Sequence, residues 1–155
     1  MAILSGILLQ RVGDERREGV TYNEKKQFLE AYGYSVRKIK RLQQEYEEWE
    51  TIGTNITQKF SNTPVKVSGN KSRVEKCAIH LANIQQAILE EMEEAEYNRA
   101  EIEAAINTIR DTRRREIVQM RYVKNMPVWK ISVKMGKDKD NVYKMLHTAI
   151  RAMDI

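Results

Sequence analysis

Apolar residues recur along this chain at spacings of three and four, the period of one helix face, and polar breaks divide them into segments. Ile3, Leu4, Ile7 and Leu8 fit one or two apolar turns within residues 1–12, and GDERREG reads as a polar linker, so residues 1–20 are taken as an N-terminal segment with its linker. Thr21-x-x-Glu24 is a capping box that can open a helix, because each side chain can satisfy a free amide of the first turn. Gly33 is a candidate interruption. Beyond it, Val36, Ile39, Leu42, Tyr46, Trp49, Ile52, Ile56 and Phe60 form one stripe, with QQEYEEWE as the wet face. SNTPVKVSGN breaks the pattern at Pro64 and Gly69, and Ser72-x-x-Glu75 is a second capping box. The second stripe runs through Val74, Cys77, Leu81, Ile84, Ile88, Met92 and Ala95 and continues at Ile102, Ile106 and Ile109. Two striped helices joined by one break predict an antiparallel hairpin over residues 21–109. A 25-residue arm of it would reach roughly 37 Å. Neither helix can bury its stripe alone, so each pairs with the other, with a second copy, or with both.

Residues 110–155 follow a shorter rhythm. Asp111 can cap a third helix running to about Lys124, with Ile117, Val118, Met120, Tyr122 and Val123 as its apolar content. Pro127 suits the first turn of a short fourth helix, where a missing amide costs nothing, and Gly136 ends that helix. Asp138 can cap a fifth helix reaching about Met153. Helix, glycine turn, helix is the layout of a helix-turn-helix. Ser132, four before the glycine, lets the helices approach, and Val142, six after it, locks the second onto the first. Ile131, Met135, Met145, Leu146, Ala149 and Ile150 would complete a small core with the third helix. The expected fold is all-α: a long antiparallel helical hairpin, then a C-terminal three-helix domain.

Charge sharpens this division. From Arg110 onward twelve lysines and arginines stand against five acids, +7, whereas residues 1–109 carry fifteen against seventeen, −2. The basic excess lies wholly in the last third, which permits an anionic partner there and is more informative than the total charge. The single cysteine, Cys77, excludes an internal disulfide and a cysteine-rich metal site. ILSGILLQ is too short to span a bilayer and lacks the marks of a signal peptide, so the cytoplasm is the expected location and no membrane partner is expected. No nucleophile–base pair, phosphate loop or paired-carboxylate pocket stands out, so neither an enzyme nor a cofactor is expected.

With Val142, Met145, Leu146 and Ala149 turned inward, Lys139, Asp140, Tyr143, Lys144 and His147 fall on the outer side of the last helix. In a helix-turn-helix the first turns of that helix enter the major groove. Lysine can donate to guanine, aspartate can accept from cytosine, and Asn141 can pair with adenine. Arg113, Arg114, Arg115, Lys124, Lys130, Lys134 and Lys137 are the candidates for contact with the DNA backbone. Trp129 is expected in helix packing, and Cys77 and His80 in the core and flank of the long helix.

Residues 109–153 carry R-R-R-E-I-V-x-M-R-Y, then W-K-I-S-x-K-M-G, then N-V-Y-K-x-L-H-x-A-I. This stretch resembles region 4 of the sigma-70 factors, the part that reads an upstream promoter element. From about Tyr22 onward the chain also resembles small phage and prophage regulators of the ArpU and RinA kind, which join a helical N-terminal part to a sigma-like helix-turn-helix. The resemblance implies base-facing roles for Lys139, Asp140, Tyr143 and Lys144, and activation of late or packaging genes. Ser132 replaces the usual alanine, Lys137 an often apolar turn residue, and Asp138 the usual Ser or Thr cap. No segment resembles the core-polymerase-binding or promoter-melting regions of a sigma factor.

The function expected from sequence is therefore that of a DNA-binding transcriptional regulator of phage or prophage genes, acting in a bacterial host cell. Its expected partners are double-stranded DNA, RNA polymerase and a second copy forming a homodimer. Two rivals remain open: a protein-interaction module that docks on RNA polymerase or another phage component without reading DNA, and a DNA-binding packaging component.

Overall fold

A computed structural model describes residues 19–61 and 68–155. The expected apolar turns of residues 1–12, the linker through residue 18, Pro64, and the side chains of residues 59–72 lie outside the described residues. Helix α1 spans Tyr22–Ser61 and α2 Ser68–Asn107. Helix α3, Thr112–Val118, continues as a π-helical turn over Gln119–Val123, followed by α4, Val128–Met135, and α5, Lys139–Ala152. Among the described residues there is no strand, and the fold is all-α.

The start of α1 is the capping box read from sequence. The Thr21 amide donates to Glu24 Oε2 at 2.7 Å, and the Glu24 amide donates to Thr21 Oγ1 at 3.3 Å. Gly33 does not interrupt the helix, which continues through it with the glycine buried. Such a residue costs a helix only about 1 kcal/mol, which packing outweighs. Helix α2 begins at Ser68, so Ser72 lies inside it and not at its cap.

The described chain forms two compact units, and the division does not follow the expected boundary at residue 110. One unit is Ser35–Ala95; the other joins the residues up to Tyr34 with Glu96–Ile155.

Within Ser35–Ala95 the two helix segments are antiparallel: Lys38 meets Glu91, Glu45 meets His80, and Trp49 meets His80 and Cys77. Glu45, His80 and Ala87 are half-buried beside a seam whose own positions are Ser35, Ile39, Leu42, Tyr46, Trp49, Gly53 and Ile56 on α1, and Cys77, Leu81, Ile84, Ile88, Glu91 and Ala95 on α2. These alternate strictly by three and four, as in a two-helix coiled coil. Val36, Ile52, Val74 and Met92, expected in the stripes, are exposed. They sit a step off the seam, whose interior places belong instead to Ser35, Gly53 and Glu91. The His80 imidazole lies 3.4 Å from Glu45 Oε1, an ion-pair distance without hydrogen-bond alignment, and packs on Trp49 with ring centres 4.2 Å apart and planes tilted 55°.

The other unit has one continuous core. Phe28 and Leu29 of α1 and Ile102, Ile106 and Ile109 at the end of α2 join Ile117, Val118, Met120, Ile131, Val142, Leu146, Ala149, Ile150 and Met153. Lys25 Nζ donates to the carbonyl oxygen of Met153 and, at 3.4 Å, to that of Arg151. The Asp154 amide donates to Thr108 Oγ1 at 3.1 Å. Tyr122 lies deep in this unit, and burial pushes its phenol up to about 12.

Candidate nucleic-acid interface

Three capping arrangements set the geometry of the last three helices. Asp111 caps α3 by accepting the Arg114 amide at 3.1 Å, and this bond holds its carboxyl below the usual carboxylate value. The helix then widens: the Lys124 amide reaches back to the Gln119 carbonyl at 3.0 Å, a five-residue step. Asn125 turns the chain at φ 51, a left-handed conformation that asparagine tolerates better than most residues. Pro127 stands at the N-cap of α4, one residue ahead of the first turn where sequence placed it.

Gly136 closes α4 at φ 62 and ψ 35. Its amide donates to the Val133 carbonyl at 3.3 Å, and the next amide, of Lys137, donates to the Ser132 carbonyl at 3.1 Å. This pair of bonds is a Schellman motif and satisfies the carbonyls that α4 would otherwise leave open. Two residues on, Asp138 caps α5: Oδ1 accepts the Asn141 amide at 2.7 Å, and Oδ2 accepts the Asn141 side-chain nitrogen at 3.2 Å.

These caps fix which way α5 faces. Val142, Leu146, Ala149 and Ile150 are buried in the shared core, with Met145 partly so. Lys139, Asp140, Tyr143 and Lys144 are exposed on the opposite side, and no side-chain bond to another described residue engages them. Asn141 is exposed too, but its amide group is tied to Asp138 at the helix start. His147 is exposed on the same helix, yet its ring stacks on Tyr22 of α1 with centres 4.4 Å apart and planes tilted 38°.

The backbone-contact candidates divide. Arg113, Lys124, Lys130 and Lys134 are exposed, and Lys137 is half-buried beside the turn. Arg114 is half-buried, its Nε 3.9 Å from Asp111 Oδ2. Arg115 is directed inward: Nε and Nη2 donate to the Ile109 carbonyl at 3.0 and 2.7 Å, so its guanidinium closes the end of the preceding segment. Trp129, expected in helix packing, is 57% exposed, and Val133 one turn later is 76% exposed. The residues of α4 buried in the core are instead Val128 and Ile131.

Sequence reasoning missed Tyr22 and Lys25. Their contacts with α5 span more than 120 residues, so no local window carries a signal for them. Among the described residues, no group of three or more His, Cys, Asp or Glu side chains could hold a metal ion, and no helix is long and apolar enough to cross a membrane.

Compared with known proteins, residues 57–154 match the model of one family, described as a protein of unknown function (DUF1492). No curated protein and no solved structure matches the chain.

Proposed function

This chain belongs to the DUF1492 family, and we propose that it is a sequence-specific DNA-binding regulator of phage or prophage transcription that reads duplex DNA with α5. The observation that carries this reading is the two-sidedness of one helix. Val142, Leu146 and Ala149 are buried, while Lys139, Asp140, Tyr143 and Lys144 of the same helix stand free behind a left-handed glycine turn. A helix held this way can present its first turns to a major groove. The lysines supply donors for guanine, and Asp140 supplies an acceptor for the cytosine amino group. Arg113, Lys124, Lys130, Lys134 and Lys137 are available to phosphates, while Arg115 serves the fold. The +7 balance from Arg110 onward favours such a partner. The reading includes a host-cell cytoplasmic location, a symmetric dimer on two half-sites, and contact with RNA polymerase during activation.

A gel-shift series at two ionic strengths tests it. With about five phosphates neutralised, the log–log salt slope should be near −4.5. Lys139→Ala with Lys144→Ala should reduce the preference for a selected duplex over a random one. Equal affinity for the two duplexes in both proteins would remove α5 as the reader.

The exposed pair Trp129 and Val133 favours a second reading, in which the domain docks on a protein such as RNA polymerase without reading DNA. That version predicts DNA binding that is absent or without sequence preference.

A further inference from the structure

The geometry points to Tyr22, at the opposite end of the sequence from α5, as a positioning residue for DNA recognition; the inference rests on the reading above. The Tyr22 ring is itself held, because it is partly buried and packs against the core shared by α2, α3, α4 and α5. Its outer side meets the His147 imidazole at 4.4 Å. One turn later Lys25 is bonded to the carbonyls of Arg151 and Met153, so the first turn of α1 grips α5 at two separate points.

His147 lies seven residues after Asp140, four after Tyr143 and three after Lys144, which places all four on one face of α5. An exposed imidazole on a helix would otherwise sample several rotamers, and a ligand would have to order it at an entropic cost on binding. The ring contact with Tyr22 removes that freedom in the unbound protein. It also places one flank of the His147 ring against protein, so that a duplex meets an imidazole of fixed orientation at the far end of the reading face. Tyr22 thus acts on DNA through His147, so that recognition depends on a residue outside the helix-turn-helix.

The test uses the full chain and two duplexes of equal length, one selected from a random pool by the wild-type protein and one unselected. Tyr22→Phe keeps the ring, Tyr22→Leu keeps apolar bulk without it, and His147→Ala removes the partner from an exposed position. Tyr22→Leu and His147→Ala should each lower the selected-to-unselected affinity ratio roughly fivefold, the scale of one aromatic pairing. The double variant should fall no further, because the two residues act as one unit. Tyr22→Phe should retain the ratio, and the unselected affinity and salt slope should not move. The His147 imidazole resonances should shift with Tyr22→Leu and stay with Tyr22→Phe. A Tyr22→Leu protein that keeps the full ratio overturns the inference. So does one that weakens both duplexes equally, which is the mark of a lost fold, or a double variant whose losses add. A wild-type protein without salt-dependent DNA binding overturns the DNA reading itself, and Tyr22's role falls with it.

Discussion

Glu91 and Lys38 face each other across the paired helices, the carboxylate only 5% exposed at an interior seam position and the ammonium reaching it from the rim. Ser35, buried on the facing helix, is a second group that favours the charged carboxylate. Burial works to raise the Glu91 pKa, but Lys38, with its charge, and Ser35 together outweigh it. The net value lies below the ordinary 4.5.

A group whose folded-state pKa is lowered stabilises the fold above its unfolded value, and the stabilisation is lost as pH falls through the folded one. The thermal midpoint of the wild-type chain should therefore drop toward that of Glu91→Gln as pH descends below about 4.5. A gap between the two that stays constant with pH would show that Glu91 does not carry this dependence. Lys38→Met leaves the buried carboxylate without its cation. Discounted for the half-exposed lysine, it should cost about 1–2 kcal/mol by denaturant titration. Glu91→Leu, which completes an apolar seam, should be neutral or stabilising.

Gly53 occupies a second interior place, and a Cβ there would meet Cys77 Sγ at 3.0 Å. Glycine inside a helix ordinarily costs about 1 kcal/mol relative to alanine. Gly53→Ala should therefore yield little or nothing in the wild-type chain, where the sulfur must move. In a Cys77→Ala background the same change should stabilise by about 1 kcal/mol. Equal effects in both backgrounds, measured as a double-mutant cycle, would mean the contact is not the reason for the glycine.

Much of this was legible in the sequence for a definite reason: caps and turns are local. Thr21 with Glu24, Asp111, Gly136 and Asp138 each act within a few residues, and each does what its type and position imply. The buried side of α5 followed from the same short-range pattern. The stripes of α1 and α2 were less legible, because apolarity alone cannot say which of two adjacent positions faces inward. Reading Met92 in place of Glu91, and Ile52 in place of Gly53, assumed that a seam contains only large apolar residues. A narrow two-helix seam accepts a glycine where backbones approach, and a glutamate that has a lysine within reach. Tyr22 and Lys25 were invisible because their partners come from the other end of the chain.

Gly136 isolates a backbone effect. Nothing lies within 4 Å of a Cβ placed there, so a substitution meets no clash and pays only for φ +62. Gly136→Ala should cost about 1–2 kcal/mol in thermal or denaturant melts. Gly136→Asn should cost less, since asparagine visits the left-handed region more readily. Equal losses for the two would point to a cause other than backbone conformation.

The boundary at residue 110 gives the last prediction. A fragment of residues 110–155 holds all of α3, α4 and α5, yet it lacks Phe28, Leu29, Ile102, Ile106 and Ile109, which share one core with them. It also lacks Lys25, which accounts for two carbonyls at the end of α5, and Ile109, whose carbonyl takes Arg115. Five large side chains at about 1.5–3 kcal/mol of burial each approach the whole net stability of a small domain. The fragment should show weak helicity and no cooperative thermal transition by circular dichroism. A chain that joins residues 20–34 and 96–155 through a short flexible linker should recover the transition, because it restores the compact unit. A fragment 110–155 that melts as sharply as the joined chain would return the boundary to where the sequence alone had placed it, and would leave the first turns of α1 as an accessory to the domain and not a part of it.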